Sequence, residues 1–205
     1  NALLRIARLE TRGNSADMKR VSLGLLVSDA CELYEALAED KCQTFVQNLD
    51  EQVIVEGDRD LLFQMVSNLI DNAIKYTPER GKIQVRVFGS NDMAVFEVAD
   101  SGIGVPDSEK PHVFQRFYRV GKSRSLPGNG LGLSLVSAVA EIHQARIELS
   151  DHHPDAEFPG LCVQVQLPRY EAGRAKRIRS VPAVSAKDLE AGESFQPAGQ
   201  GSQQS

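Results

Sequence analysis

The chain has 205 residues, 41% hydrophobic and 25% charged, with a formal net charge of −5. That balance is ordinary for a globular protein of one domain, or of one domain with appendages. It argues against a nucleic-acid-binding surface as the main business, because phosphate backbones select basic patches, and no apolar run approaches the ~18 residues of a membrane helix.

Residues 1 to about 12 read as the end of an amphipathic helix, with Leu3, Leu4, Ile6, Ala7 and Leu9 on one face and Arg5, Arg8 and Arg12 mostly on another. Gly13-Asn14-Ser15 stops it. The chain opens without Met and without the charged lead-in and apolar core of a signal peptide, so a fragment or a processed product is expected. Val21 to Leu23 suits a short strand. Leu26, Ala30, Leu33 and Leu37 then repeat at helical steps, predicting a helix from Leu23 to about Lys41. Gln43 to Leu49 and Gln52 to Val55 read as strands separated by an Asp50-Glu51 turn.

Asp58 is placed to cap a central helix that runs to about Tyr76 and stops at Thr77-Pro78. Lys82 to Phe88 and Met93 to Ala99 alternate as strands, with Gly89 to Asp92 making them a hairpin. An irregular stretch from Ser101 to about Asn129 is long enough to suggest a functional loop. Leu131 to His143 reads as a helix, and Arg146 to Ser150 and Leu161 to Leu167 as strands. From residue 171 onward Gly, Ser, Ala, Gln and Pro dominate, and a disordered tail is expected. Its cluster of Arg174, Lys176, Arg177 and Arg179 reads as solvated.

The central helix carries the first chemical signal. At ~100° per residue, Asn68, Asn72 and Lys75 share a stripe about 60° wide, apart from an apolar face of Leu62, Val66, Leu69 and Ala73. Asn is a poor helix former because its side chain competes for backbone hydrogen bonds. Two of them one turn apart suggest that a ligand needs their oxygens, although a plain solvated face would show the same pattern. Carboxamide oxygens suit Mg²⁺, which takes its remaining ligands from water and phosphate. Lys75 is placed to meet phosphate, and Tyr76 offers an aromatic face to a base.

Asp100 closes a strand and is followed by Gly102-Ile103-Gly104. A carboxylate there can accept the exocyclic amine of adenine while the glycines admit a close backbone. Alone, the motif could be a turn. Gly128-Asn-Gly130-Leu131-Gly132-Leu133 precedes a helix, where free N–H groups favour an anion. A dinucleotide fingerprint fails on context: no strand leads into this turn, and no acidic residue ends a strand about 20 residues on. The Gly-Lys-Ser/Thr of a P-loop is also missing.

In this order, the three motifs resemble the N box (Asn68 to Tyr76), first glycine box (Asp100 to Gly104) and second glycine box (Gly128 to Gly132) of bacterial sensor histidine kinases. Phe114-Gln-Arg-Phe117-Tyr118-Arg119 is similar to that family's F box. The resemblance runs from about Val21 to Pro168. It implies an α/β fold, a two-layer sandwich with a mixed sheet packed on helices, of the kind shared with DNA gyrase and MutL.

It further implies Asn72 as the Mg²⁺ ligand with Asn68 as helper, Asp100 as adenine reader and Tyr76 as the aromatic packed on adenine. Lys75, Arg119 and Arg124 would hold the phosphates, with Asn68, Lys75 and Arg119 serving catalysis. Gly102, Ile103, Gly104, Gly128, Gly130, Leu131, Gly132 and Leu133 would complete the ATP pocket, and Val105 to about Asn129 would be its lid. Residues 1–20 would be the end of a dimerisation helix with its linker, 21–170 the catalytic domain and 171–205 the tail.

Related gyrase- and MutL-type ATPases carry a glutamate one turn before the magnesium Asn, as general base for water. This chain has Asn68 there, and an amide cannot take that proton. The pocket is therefore expected to hold ATP for another nucleophile. The phosphoacceptor context, a His followed by an acidic residue and Arg-Thr-Pro, surrounds none of His112, His143, His152 and His153. His112 and His143 read as structural, and His152-His153 as solvated rather than as a metal pair. Relatives often have two glycines where Gln144-Ala145 follows His143, which puts a turn in doubt.

The resemblance implies a response regulator receiver domain as partner, a homodimer in the longer protein, and no nucleic acid. Membrane contact would come only through upstream segments, as expected of the cytoplasmic domain of an inner-membrane sensor. The readings weighed against it are an ATP hydrolase of the same fold and a non-catalytic nucleotide-binding module. Cys31, Cys42 and Cys162 lack metal or disulfide spacing and read as free thiols in a reducing compartment.

Overall fold

The computed structural model describes residues 16–120, 130–154 and 156–170. The expected N-terminal helix and the tail from 171 lie outside them. Seven strands and three α-helices follow in chain order: β1 (Lys19–Ser22), α1 (Leu23–Asp40), β2 (Thr44–Leu49), β3 (Ile54–Gly57), α2 (Arg59–Tyr76), β4 (Lys82–Ser90), β5 (Met93–Asp100), α3 (Gly132–Ile142), β6 (Arg146–Ser150) and β7 (Cys162–Pro168). A 3₁₀ turn, Lys110–His112, interrupts the long connection after β5.

Five strands form a mixed sheet in the order β2-β4-β5-β7-β6. β2 runs parallel to β4, and the other pairs are antiparallel. A parallel pair needs a crossover, which β3 and α2 supply. The strands on either side of Asp50-Glu51 consequently do not pair with each other: β3 instead pairs antiparallel with β1 in a separate two-stranded sheet. Alternation along the strands sends Ile83, Val85, Val87, Phe96, Val98, Val163, Val165 and Leu167 into one core. There they join Leu26, Val27 and Ala30 of α1 and Leu62, Met65, Val66, Leu69 and Ile70 of α2, all buried. The result is the two-layer α/β sandwich, helices on one face of a mixed sheet.

Local chemistry fixes where α2 starts and stops. Asp58 is its N-cap, Oδ1 accepting from the N–H groups of Asp60 at 3.0 Å and Leu61 at 3.2 Å. At the other end Thr77 is extended and Pro78 follows. His143 then ties α3 to α2. Its Nδ1 bonds to the Val139 carbonyl at 2.8 Å and its Nε2 accepts from the Asp58 N–H at 3.0 Å. That pattern requires a neutral imidazole protonated on Nδ1, and burial pushes its pKa down. The structural reading of His143 holds.

Five described non-glycine residues, Cys42, Arg80, Asn91, Phe117 and Gln144, adopt the left-handed region in turns, and two of them bear on the sequence reading. The β4–β5 hairpin is tighter than expected, with Asn91 at φ 52° beside Asp92 between Ser90 and Met93; Asn tolerates that conformation. Gln144, where the family's glycines would stand, adopts φ 53°. The turn after α3 is therefore kept despite the departure in sequence, at some backbone strain.

Candidate functional site

A cavity of about 300 Å³ opens between α2, the ends of β5 and β7, and the start of α3. All three stretches singled out by sequence reach it. Asn68, Asn72, Lys75 and Tyr76 line it from α2, Asp100, Ile103 and Gly104 from the end of β5, and Gly130, Leu131, Gly132 and Leu133 from the α3 start. Arg119 lines it as well. Gly102, expected in the pocket, is not part of its lining and packs instead against the Tyr76 carbonyl, while Arg124 and Gly128 lie outside the described residues.

At one end are the two carboxamides. The Asn68 Nδ2 donates to the Gln64 carbonyl at 2.7 Å, so its second N–H and Oδ1 remain for a ligand. A Cβ added to Gly132 would come within 3.1 Å of that Oδ1 and 3.7 Å of the Asn72 amide. Glycine at 132 thus leaves a hollow between the carboxamides and the α3 N-terminus. Among the described residues nothing hydrogen-bonds the Asn72 side chain. Neutral oxygen donors with room beside them fit a hard divalent cation that keeps most of its waters. Lys75 forms no ion pair among the described residues, and its ammonium lies 5.1 Å from the Tyr76 ring centroid.

Asp100 is built differently. It is 6% exposed, and its Oδ1 accepts from the N–H groups of Gly102 at 2.8 Å and Leu161 at 3.3 Å. Neither bond uses Oδ2, which is left for a donor in the cavity. Burial drives the pKa up to about 6, against the lowering effect of those two bonds. Around it the lining is apolar: Val98, Ile103, Val113, Leu131, Leu161 and Val163. One carboxylate in a hydrophobic slot has the chemistry to receive a flat ligand that presents an N–H donor.

Because the folded state holds its proton more tightly than the unfolded chain does, Asp100 costs stability as pH rises from about 4 to about 6. Two pKa units correspond to up to about 3 kcal/mol at neutral pH. Asp100→Asn keeps the Oδ1 acceptor and removes the charge. It should therefore raise the urea midpoint at pH 7.5, with the gain shrinking towards pH 5, while selectivity for ATP over GTP falls in a competition titration. No gain in stability would show that the carboxylate is not strained by burial, and unchanged selectivity would remove it as the base reader.

Sequence reasoning missed the β6–β7 connection. Gly160 sits at φ +63°, its N–H donates to the Gly102 carbonyl at 3.0 Å, and Leu161 supplies the second donor to Asp100. Pro159-Gly160 was the available signal, but nothing local shows that it folds against a strand end 60 residues earlier. Tyr118, quoted in the F-box stretch but not among the site residues, also lines the cavity. His152 and His153 have ring centroids 4.1 Å apart with the rings tilted by 52°, and among the described residues no group of three or more His, Cys, Asp or Glu could hold a metal ion. Cys31, Cys42 and Cys162 are free. No helix among the described residues is long and apolar enough to cross a membrane.

Residues 57–171 match the family model described as histidine kinase-, DNA gyrase B-, and HSP90-like ATPase. The chain belongs to this family. It is 35% identical over 176 residues to the sensor protein SphS of Synechococcus elongatus, covering 82% of this chain and 42% of that protein. With the phosphate regulon sensor protein PhoR of Pseudomonas aeruginosa it shares 36% over 152 residues, 73% of this chain and 34% of that one. The solved mycobacterial sensor histidine kinase MprB superposes with TM-score 0.65 at 29% identity, covering 74% of this chain and 97% of that one. The chain spans well under half the length of SphS and PhoR. Within the family, its named relatives are sensor kinases of two-component signal transduction, and the chain corresponds to their ATP-binding catalytic domain.

Proposed function

We propose that the cavity holds ATP with Mg²⁺ and keeps the γ-phosphate intact for a histidine on a dimerisation helix, as in a sensor histidine kinase. The observation that carries this reading is Asn68. It stands on the cavity wall one turn before Asn72, where a hydrolase needs a base, and its amide is held by the Gln64 carbonyl. An amide cannot accept the proton of an attacking water.

The parts divide by chemistry. Asp100 and Leu161 would receive adenine, with Tyr76 packing on its rim and Ile103 and Gly104 shaping the slot. Asn72, helped by Asn68, would hold Mg²⁺, whose contribution is to neutralise charge on the phosphate oxygens. Lys75, Arg119 and Arg124 would meet the remaining phosphate charge. The glycines Gly128, Gly130 and Gly132 would bring backbone N–H groups of the α3 start towards it. Rate enhancement then comes from positioning and from charge stabilisation, not from a protein base.

In the longer protein the acceptor would be a histidine of the dimer, residues 1 to about 12 would belong to its dimerisation helix, with the linker ending where β1 begins at Lys19, and a receiver-domain aspartate would take the phosphoryl group onward. A cytoplasmic placement beneath an inner-membrane sensor goes with that arrangement. The alternative with a specific observation behind it is hydrolysis through Asp71, an exposed carboxylate that also lines the cavity. The fate of the γ-phosphate on the saturated chain separates the two: retained ATP supports the kinase reading, and steady release of phosphate supports the hydrolase.

A further inference from the structure

The connection from Gly102 to Tyr118 forms one wall of the cavity with no regular element beyond a three-residue turn. Val105, Val113 and Tyr118 line the cavity from it, and Val113 is buried. Many of its backbone hydrogen bonds stay local: Glu109 and Lys110 donate to the Pro106 carbonyl, His112 to Glu109 and Gln115 to His112. Local turns of this kind shape a segment but do not locate it against the sheet.

Lys110 supplies such a location. Its ammonium donates to Asp107 Oδ1 at 2.6 Å and to Asp151 Oδ1 at 2.7 Å. The Lys110 side chain is 15% exposed, Asp107 88% and Asp151 26%. The Asp107 pair lies within the segment's own turn, with its carboxylate in water, and contributes little. The Asp151 pair is better shielded and spans 41 residues, from this wall to the first residue after β6. Hydrogen bonds to Asp107 and then Asp151 raise the lysine pKa, so the ammonium keeps its charge through the neutral range. Beside it, the Tyr118 hydroxyl donates to Glu109 Oε2 at 3.1 Å.

Asp151 begins the same connection whose far end carries Gly160 and Leu161. Those residues bond to the Gly102 carbonyl and to Asp100 Oδ1. The Lys110–Asp151 ion pair therefore links the wall bearing Val105 and Val113 to the loop that completes the Asp100 slot.

We infer that Lys110 and Asp151 are a positioning pair for the base end of the nucleotide site, holding the Val105–Val113 wall against the Asp100–Leu161 slot before ligand arrives. The inference rests on the adenine-nucleotide reading above. Without the pair, nucleotide binding has to order the wall, and that ordering is subtracted from affinity. The phosphate end rests mainly on α2 and the start of α3, and of the described phosphate-facing residues Arg119 alone adjoins this connection, so it depends on the pair far less.

The test is calorimetry of ATP·Mg²⁺ and of Mg²⁺-bound inorganic triphosphate on wild type, Lys110→Met, Asp151→Asn and Lys110→Arg, each checked for folding by its melting curve. Lys110→Met and Asp151→Asn should each weaken ATP about fivefold and weaken triphosphate far less, and Lys110→Arg should restore ATP affinity. Should Lys110→Met fail to fold, the near-isosteric Asp151→Asn carries the comparison. Equal ATP affinity in wild type and variants overturns the inference, and so does an equal loss for ATP and triphosphate, which would mark a general loosening. A wild-type chain that binds no ATP·Mg²⁺ overturns the adenine-nucleotide reading itself, and the inference with it.

Discussion

Replacing Asn72 with alanine should remove the magnesium-dependent part of ATP affinity, a loss of about a hundredfold. Asn72 lines the cavity one helical turn from Asn68, and no described residue hydrogen-bonds its side chain. Gly132 leaves the space beside both carboxamides open, with Asn68 Oδ1 3.1 Å from where a Cβ would stand. A methyl group at position 72 supplies neither a cation ligand nor a hydrogen bond to its water shell. The comparison is calorimetric, with Mg²⁺ and with EDTA: wild type in EDTA should fall to the level of Asn72→Ala, and the variant should not respond to Mg²⁺. An unchanged affinity in Mg²⁺ would mean that α2 does not carry the cation site. The apolar face of α2 is untouched, so the melting temperature should move little.

Gly160→Ala should be among the most destabilising single substitutions available. Its φ is +63°, and an added Cβ would stand 1.9 Å from the Asp100 carbonyl oxygen. That neighbour is backbone at the end of a central strand and cannot swing away as a side chain could. Relief requires the β6–β7 connection to lift, breaking the Gly160 N–H bond to Gly102 and pulling Leu161 from Asp100. Strain in the left-handed region and the lost contacts together should cost about 4 kcal/mol. Gly89→Ala is the control: its added Cβ would meet the mobile end of Arg169 at 2.8 Å, and the change should stay within about 1 kcal/mol. Urea unfolding of both variants measures the contrast. A Gly160→Ala protein as stable as wild type would show that this loop does not abut the strand end.

These two positions differ in how visible they were from sequence. Asn72 was legible because a helix repeats on a fixed period. Once α2 is recognised, Asn68, Asn72 and Lys75 must share a stripe, and Asp58 and Thr77-Pro78 mark the ends. Strand alternation likewise placed Ile83, Val85 and Val87 in the core. Gly160 was not legible, since its requirement comes from a strand end 60 residues away, and pairing across such distances is not written in local periodicity. The same limit hid the partner of β3. Residues flanking a short turn suggest a hairpin, yet parallel pairing of β2 with β4 sends β3 to β1 instead.

Gln144 carries a related lesson about side-chain type. The residue gave reason to doubt the turn after α3, but the backbone adopts the left-handed conformation without glycine, as packing of α3 and β6 outweighs the local preference. Lys110 shows how an ion pair escapes sequence reading: its carboxylate partner Asp151 is identified only once the wall and the β6–β7 connection are folded together.

We propose that this pocket holds ATP·Mg²⁺ and withholds its γ-phosphate from water. The direct measurement is phosphate release from labelled ATP on the chain at a nucleotide concentration shown by titration to saturate it, with and without a histidine-bearing dimerisation segment of a sensor kinase such as MprB. One ATP should bind, phosphate release should be no faster than from Asn72→Ala, and label should appear on histidine when the segment is added. Steady release at about 1 s⁻¹ or faster by the chain alone, the ordinary range of an enzyme turning over its substrate, would contradict this reading.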